Sequence, residues 1–289
     1  MANSKWMERE IRENLIRALE ENADIIVFDL ETTGYSKEYD RVTQLAAKKY
    51  QLQDNKIIYK DELDEYICPS VPISPKAEQV SGITNEFIKD KPKENEIFDK
   101  IFNFFGTTPN LCAHNSRFDI GFLSNMYKRY GKELKVNIEL DTCILAKEVI
   151  SKYKVQNYRL STLAKYYGVD KEIDFHNAKH DVIATSSILQ IIISEFVEKM
   201  KKGEIKKNSD IGRKNAVVIS GPNYWKGHNR FSRIYVNTNL GTIFYDILTR
   251  KWCEKDEGAL DKINMDQLIE EVFERAGVSN EDEFSKFRG

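Results

Sequence analysis

The chain has 289 residues, of which 41% are hydrophobic and 31% are charged, and it carries a net charge of −2. Its mean hydropathy is −0.54 and it has no run of about 18 apolar residues and no signal-peptide stretch near the start, so the sequence predicts neither a membrane span nor a secreted protein. Its four cysteines form no Cys-x-x-Cys pair, so neither a zinc knuckle nor a disulfide framework is indicated, and a reducing cytoplasm is the expected location.

An apolar stripe predicts a helix over about residues 4–22, ahead of the first strand. Residues 25–28 are apolar in a row, which predicts a strand buried on both faces. Asp29 and Glu31 follow at positions i and i+2, so their carboxylates lie on one side of that strand, roughly 6 to 7 Å apart along it. Because such a pair is unfavourable without a cation, the pattern predicts a divalent metal site.

The remaining elements up to residue 200 alternate between short strands and helices, which predicts an α/β domain. The further predicted strands cover residues 43–52, 56–67, 111–113 and 139–142. The further predicted helices cover residues 74–80, 85–89, 95–105, 116–130, 142–151, 161–167 and 176–201. The Asp54-Asn55 turn between the second and third strands predicts a hairpin.

The last third of the chain predicts a small α+β unit, with strands over residues 215–220, 232–237 and 242–248, a loop over 221–227 and a helix over 265–276. A basic segment precedes and overlaps it, because residues 199–233 hold about ten lysines and arginines against two acids. This excess suggests a polyanion partner, and a solvated linker is the alternative. The interleaved aromatics Tyr224, Trp225 and Phe231 fit a platform for single-stranded nucleic acid.

Two more acids, Asp119 and Asp181, fall in the first turns of predicted helices, where a carboxylate by itself serves the helix dipole. Three segments then carry a family resemblance: residues 29–34 (Asp-Leu-Glu-Thr-Thr-Gly), 114–123 (His-Asn-Ser-Arg-Phe-Asp-Ile-Gly-Phe-Leu) and 176–181 (His-Asn-Ala-Lys-His-Asp). They resemble the DEDDh, or DnaQ-like, 3′→5′ exonucleases, which include the proofreading ε subunit of bacterial DNA polymerase III. The spacing His-x4-Asp is that of the histidine branch.

This resemblance covers about residues 24–198 and implies an RNase H-like mixed five-stranded sheet flanked by helices, followed by the small C-terminal α+β unit. It divides the chain into an N-terminal helix (1–23), an exonuclease domain (24–200) and a basic C-terminal domain (201–289). Ser81 departs from the pattern, since many relatives carry a histidine there. The departure concerns a substrate contact and leaves the metal site unaffected.

The resemblance also implies a two-metal site. Asp29, Glu31 and Asp181 would hold one metal, Asp29 would bridge to a second, and Asp119 would support the second, largely through water. Four carboxylates without a cysteine suit Mg²⁺ or Mn²⁺, two per active site, better than zinc. His176 is the expected general base, and His180 is the rival candidate.

The residues expected to contact substrate belong to the same segments: Thr32, Thr33, Gly34, His114, Asn115 and Phe122. The first three should bring backbone N–H groups and hydroxyls to the terminal nucleotide. Phe122 should stack on a base or, alternatively, pack within the apolar stripe of its helix.

The function that the resemblance implies is metal-dependent 3′→5′ hydrolysis of DNA, preferably single-stranded, with release of nucleoside monophosphates. Trimming of RNA 3′ ends and a non-catalytic nucleic-acid-binding module are the alternatives. The expected partner is a nucleic acid with a free 3′ end and no membrane is expected to be involved. The C-terminal unit would bind single strands, a DNA polymerase or a second copy of the chain.

Overall fold

The computed structural model describes residues 2–151, 153–171, 173–205, 218–224, 233–246, 251–256, 258–280 and 283. The chain separates into two compact units, one formed by Ile11–Ile205 and the other by Met1–Glu10 together with Lys206–Gly289. The sequence-based borders at residues 23 and 200 stay a prediction of domain limits.

The larger unit is built from a sheet and surrounding helices. Its strands are β1 Asp24–Thr32, β2 Val42–Gln53, β3 Lys56–Tyr66, β4 Asn110–Ala113 and β5 Ile138–Asp141. The helices in this part of the chain are α1 Ala2–Glu20, α2 Pro75–Ser81, α3 Asn85–Ile88, α4 Glu94–Phe105, α5 Arg117–Arg129, α6 Thr142–Val149, α7 Leu160–Tyr167 and α8 Ala178–Lys201.

The sheet has the strand order β3-β2-β1-β4-β5, which confirms the predicted mixed five-stranded sheet. β1 pairs antiparallel with β2 and parallel with β4, and β4 pairs parallel with β5. The carboxyl ends of β1, β4 and β5 therefore meet at one edge, the usual place for a ligand site in an open sheet. Asp54 and Asn55 both have positive φ, as a tight hairpin turn between β2 and β3 requires.

The core explains why β1 lies at the centre. Ile25, Val27 and Phe28 have no exposed surface, and the ring of Phe28 meets that of Phe105 edge-on at 5.5 Å. Phe105 belongs to the apolar stripe of α4, which covers this face of the sheet. A strand without a polar face is stable only in such a doubly covered position.

The long helix α8 packs against β1, β2, α6 and α7. By length and hydropathy alone this helix could span a membrane, but more than half of its most apolar stretch is buried within the protein. It begins at Ala178, two residues later than predicted, because His176 has a left-handed φ of 69° that no helical turn accepts. Asn177 caps it instead, accepting the backbone N–H of His180.

The smaller unit contains a four-stranded antiparallel sheet in the order β6-β7-β8-β9, which confirms the predicted α+β character. Its elements are β6 Val218–Tyr224, β7 Arg233–Thr238, β8 Gly241–Asp246, β9 Lys251–Glu254, α9 Ala259–Lys262 and α10 Met265–Ala276. β9 and α9 were not predicted, and residues 221–224 form the end of β6, where a loop was expected. Trp225, Phe231 and most of the basic segment lie outside the described residues.

Asp141, at the end of β5, joins two of the strand ends. Its carboxylate accepts the backbone N–H groups of Asn115 and Ser116, which follow β4, at 3.2 and 3.1 Å. It also accepts those of Cys143 and Ile144, in the first turn of α6, at 2.8 and 3.2 Å. One buried carboxylate therefore fixes both connections beside the carboxyl end of β1.

We expect Asp141→Ala to lower the free energy of unfolding by roughly 3 kcal/mol, because it leaves buried N–H groups without their charged acceptor. Asp141→Asn keeps one acceptor oxygen, so its free energy of unfolding should fall less than that of Asp141→Ala. Urea unfolding followed by circular dichroism measures both, with the exposed Glu133→Ala as control. A loss below about 0.5 kcal/mol in Asp141→Ala would contradict this role.

Candidate active site

β1 presents two of the candidate ligands. Asp29 and Glu31 lie opposite Ala46 and Gln44 of β2, and Leu30 between them is buried. Because side chains alternate along a strand, the two carboxylates share one face. The pairing register shifts between Glu31 and Thr32, where the strand leaves the sheet. Such irregularities are common beside active sites, where they redirect the chain.

The other two candidate ligands come from helix starts. Asp119 lies in the first turn of α5 and Asp181 in the first turn of α8, and their exposed fractions are only 3% and 7%. Asp29, Glu31 and Asp181 each offer a carboxylate oxygen, and these oxygens all lie within 4.8 Å of one another. Asp119 is outside this trio and lines the same cleft.

The cleft at this edge of the sheet has two lobes. The first lobe, of about 340 Å³, is lined by Asp29, Leu30, Glu31, Thr32, Gly34, Tyr35, Ala77, Val80, His114, Asn115, Phe118, Asp119, His176 and Asp181. The second lobe, of about 730 Å³, is lined by Asp29, His114, Asn115, Cys143, Lys147, Tyr158, Arg159, Leu160, Ser161, Phe175, His176 and Asp181. Five residues line both lobes, so the lobes adjoin: Asp29, His114, Asn115, His176 and Asp181.

Burial and mutual repulsion make it unfavourable to ionise all four carboxylates. Burial, followed by the charges of Asp119, Asp181 and Glu31, raises the pKa of Asp29 well above its ordinary value. Burial also raises the pKa of Glu31 to about 8, with Asp181 and Asp119 adding to the effect. The pKa of Asp181 rises to about 7, again mainly through burial.

The pKa of Asp119 is affected by a nearby cation, the ammonium of Lys37. Burial raises its pKa, while the backbone amides of Asp119 and Leu30 and the ammonium of Lys37 act in the opposite direction. Lys37 reaches this place by crossing Gly121 and donating to the Arg117 carbonyl at 2.5 Å. A Cβ on Gly121 would lie 2.4–2.7 Å from the Lys37 side chain, so glycine permits the crossing.

The site fits a hard divalent cation. Its donors are carboxylate oxygens, which Mg²⁺ and Mn²⁺ prefer. Oδ1 of Asp181 is buried and accepts no hydrogen bond from any residue the structure describes. An unpaired buried carboxylate oxygen is unfavourable, and a cation shared with Asp29 and Glu31 would satisfy it.

His176 lines the cleft, and the rival candidate His180 does not. In its left-handed conformation, His176 donates its backbone N–H to Oδ2 of Asp181 at 3.1 Å, while its exposed side chain lines both lobes. Nδ1 of His180 accepts the backbone N–H of Asp174 at 2.9 Å, and His180 lines neither lobe. The imidazole of His180 therefore supports the loop before α8.

At the end of β1 and just after it, Thr32 lines the cleft as predicted but Thr33 does not. Thr32 lines the first lobe and donates its hydroxyl to the Gly34 carbonyl at 2.6 Å. Thr33 is fully buried; its hydroxyl donates to Asp40 and accepts the N–H of Arg41, each at 3.0 Å. Thr33 thus has no hydroxyl for substrate, contrary to the prediction.

Gly34 lines the first lobe, and its lack of a side chain is required there. A Cβ on this residue would lie 2.5–2.7 Å from the Asp40 carboxylate, which also accepts the backbone N–H of Ser36.

His114 and Asn115 follow β4 and line both lobes, as their predicted role requires. Nδ1 of His114 lies 2.9 Å from the Thr142 hydroxyl. Burial lowers the pKa of His114, although Asp141 and the backbone of Tyr158 act in the opposite direction, so its imidazole is neutral at pH 7. Asn115 has a positive φ of 67° and an exposed side chain.

Phe122, predicted to stack on a base, lies in the core instead. It is 1% exposed and lines neither lobe, so the alternative of core packing is correct. Phe118, one helical turn earlier, lines the first lobe instead; its ring centroid lies 4.9 Å from that of Phe122 and 6.4 Å from that of Tyr35. Phe118 and Tyr35 were not predicted to line the cleft. Their positions could have suggested it, because Phe118 directly precedes Asp119 and Tyr35 directly follows Gly34.

α2 supplies the rest of the apolar wall of the first lobe through Ala77 and Val80. Ser81, where the sequence departs from the family pattern, lines neither lobe. Its hydroxyl donates to the Ala77 carbonyl at 3.0 Å and accepts the N–H of Ile83 at 3.2 Å. The second lobe was not predicted: apart from Phe175, which directly precedes His176, its own residues lie apart from the three segments that carry the resemblance.

Comparison with known proteins supplies a family for this site. The RNase T family model, described as an exonuclease, matches residues 26–189. The PolC-type DNA polymerase III of Streptococcus pneumoniae is 33% identical over 219 residues, which cover 76% of this chain and 14% of that protein. The corresponding protein of Latilactobacillus sakei is 35% identical over 185 residues, 64% of this chain and 12% of that one. The chain thus spans about a seventh of these relatives.

Solved structures agree at the level of the fold. E. coli exonuclease I in complex with a dT13 oligonucleotide has a TM-score of 0.55 and 18% identity, with 87% of this chain and 60% of that chain covered. A product-bound exonuclease I has a TM-score of 0.53 and 17% identity, with 92% and 76% covered. At such identities the likeness establishes the shared fold alone.

The pKa of Glu31 gives a testable pH dependence. It is 4.5 ordinarily and about 8 in the folded protein without metal, so the stabilisation by its protonated form is complete below 4.5 and lost as the pH rises to 8. Glutamine never ionises. In EDTA, the melting temperature of Glu31→Gln relative to wild type should therefore increase between about pH 5 and pH 8.5.

Magnesium should raise the melting temperature of the wild type more than that of Glu31→Gln, because the carboxylate is one of the predicted ligands. Glu133→Gln, which neutralises an exposed carboxylate, is the control and should follow the wild type. A pH-independent difference between Glu31→Gln and wild type would contradict the buried acidic cluster.

Proposed function

The chain belongs to the RNase T, or DnaQ-like, family of 3′→5′ exonucleases, and we propose that it hydrolyses DNA from the 3′ end, preferably single strands, releasing nucleoside monophosphates. One observation carries the proposal. Asp29, Glu31, Asp119 and Asp181, from three separate elements, line one cleft together with His176. No local structural requirement explains four buried or half-buried acids at one strand end.

The carboxylates would hold two Mg²⁺ or Mn²⁺ ions. Asp29, Glu31 and Asp181 would hold one of them, and Asp29 with Asp119 would support the other, Asp119 largely through water. Bound cations of this kind neutralise the charge that develops on the attacking and leaving oxygens of a phosphodiester. Burial of Asp119 and Asp181 holds the ligand oxygens in fixed positions, as such a site requires.

His176 acts as the general base. It accepts the proton of the attacking water, for which an exposed imidazole at the junction of the two lobes is suited. The hydrogen bond from its backbone to Asp181 ties the position of the imidazole to that of the metal ligand. Catalytic base and ligand set therefore keep one geometry.

The first lobe accommodates the 3′-terminal nucleotide. Apart from Asp119 and the residues of β1 and the segment after it, its own lining consists of Tyr35, Ala77, Val80 and Phe118. Apolar and aromatic surfaces of this kind receive any base, because every base has a π-face. The ammonium of Lys76 lies 5.2 Å from the Tyr35 ring centroid, at the rim.

The names of the relatives support DNA over RNA as substrate. The curated relatives are DNA polymerases, and the solved exonuclease I structure holds a dT13 oligonucleotide. Discrimination against RNA would depend on contacts to the 2′-OH. A cytoplasmic location, and docking of a DNA polymerase or a second copy of the chain through the C-terminal unit, stay predictions.

We expect Asp29→Asn to abolish nuclease activity while the circular dichroism spectrum is retained, because the substitution removes the ligand shared by both cations. Labelled DNA and RNA oligomers are digested side by side in Mg²⁺, Mn²⁺ or EDTA, with products separated by electrophoresis. Wild type should release mononucleotides from 3′ ends of DNA and be inactive in EDTA. Digestion by Asp29→Asn at the wild-type rate would overturn the site, and wild-type activity on RNA alone would overturn the substrate.

We expect His176→Ala to lower kcat by about 10²- to 10⁴-fold, the usual contribution of a general base, and metal binding to survive. His180→Ala is the matched control and should keep kcat within about threefold, since its imidazole supports a loop. Single-turnover rates and Mg²⁺-induced thermal shifts are measured for both variants. A large loss in His180→Ala with normal turnover in His176→Ala would exchange the two assignments.

A further inference from the structure

We propose that the second lobe binds the nucleotide immediately upstream of the scissile bond, with Arg159 as the residue that recognises its phosphate. The inference rests on the proposed function, because it assigns a substrate position within the same cleft. It concerns residues outside the segments that carry the family resemblance, and it determines how the enzyme would hold a strand rather than a single nucleotide.

The two lobes differ in charge once their shared residues are set aside. Among the described residues that line only the first lobe, two carry carboxylates, Glu31 and Asp119, and none is a lysine or arginine. Among the described residues that line only the second lobe, two are cations, Lys147 and Arg159, and none is an aspartate or glutamate. The shared residues, including the proposed metal ligands Asp29 and Asp181, lie where the lobes adjoin and mark the position of the scissile phosphate.

This asymmetry matches the charge of the substrate on either side of the scissile bond. A 3′-terminal nucleotide brings only the scissile phosphate, which the cations bound by the carboxylates would neutralise. Each nucleotide upstream brings one more phosphate, and phosphates are bound chiefly by lysine and arginine. The cationic lobe therefore suits the upstream strand, and the apolar, acidic lobe suits the terminal base and sugar.

Arg159 lines the second lobe and is free to bind a phosphate. It is exposed and directly precedes α7, and its guanidinium makes no ion pair with any residue in the described part of the chain. Oδ1 of Asn157 accepts both the backbone N–H of Arg159, at 3.0 Å, and the hydroxyl of Thr162, at 2.8 Å, which fixes the start of the helix. The backbone of Arg159 is therefore fixed, and its guanidinium can bind a phosphate through two parallel hydrogen bonds.

The neighbouring aromatic side chains supply surface for the upstream base. Tyr158 and Phe175 both line the second lobe. The Tyr158 hydroxyl donates to the Ile150 carbonyl at 3.0 Å, and Lys147 lies 5.9 Å from the centroid of its ring. A ring held at its far end offers a fixed face for stacking at little loss of conformational entropy.

Two substrates separate the lobes experimentally. A 5′-labelled oligothymidylate fills both. The p-nitrophenyl ester of thymidine 5′-monophosphate fills only the first, because p-nitrophenolate replaces the upstream nucleoside as leaving group. Water attacks the phosphorus, the bond to the p-nitrophenyl oxygen breaks, and thymidine monophosphate and p-nitrophenolate are released. Steady-state kinetics are measured on both substrates for wild type, Arg159→Ala and Arg159→Lys.

We expect Arg159→Ala to raise KM for the oligonucleotide about tenfold and to leave kcat/KM for the ester within about twofold of wild type. Arg159→Lys should be intermediate, since lysine keeps the charge without the planar fork. The slope of log KM against log salt concentration should fall by about 0.7, the loss of one phosphate contact on a single strand. Lys135→Ala, an equal change of charge at an exposed lysine outside both lobes, should match wild type.

Other outcomes would separate this inference from the proposed function. Equal losses on both substrates in Arg159→Ala would assign the residue a general structural role and overturn the inference. Unchanged kinetics on both would do the same. If wild-type protein hydrolysed neither substrate in Mg²⁺ or Mn²⁺, the proposed function would fail and the inference with it.

Discussion

The burial of four acids together at one strand end is the constraint on which the rest of the site depends. Burial and like charge raise the pKa of Asp29, Glu31, Asp119 and Asp181, so the ionised cluster is unfavourable without cations. Such an arrangement persists only where rigid elements impose it. A central buried strand and the first turns of two helices provide that rigidity, and they hold the acidic cluster together at a cost in folding stability.

The topology of the sheet gathers the other participants. β1, β4 and β5 run parallel, so the segments that follow them emerge on one side. Asp141 fixes two of those segments through backbone hydrogen bonds, and it thereby sets the positions of His114 and Asn115. Asn115 and His176 both adopt left-handed backbone conformations, which bring them to the junction of the two lobes. Local strain of this kind is typical of functional sites held by their surroundings.

The two lobes of the cleft differ in the charge of the residues that line them. The apolar and acidic lobe ends against Tyr35 and Phe118, while the cationic lobe presents Lys147 and Arg159. If the terminal nucleotide occupies the acidic lobe, as proposed, the phosphates of the rest of the strand would lie beside these two cations.

The sequence by itself determined the features that depend on local chemistry. Period-two alternation put Asp29 and Glu31 on one face of a buried strand, and three short segments singled out His176, Asp119 and Asp181, which line the same cleft. Only the tertiary structure decided which neighbours face the cleft. Phe122 and Phe118 lie on adjacent turns of one helix, and packing against the sheet buries the first and exposes the second to the lobe. The Thr33 hydroxyl, predicted to contact substrate, binds Asp40 instead. Arg159, which lies outside the predicted segments, lines the cleft. Such contacts depend on how elements far apart in the chain are brought together, which no local pattern records.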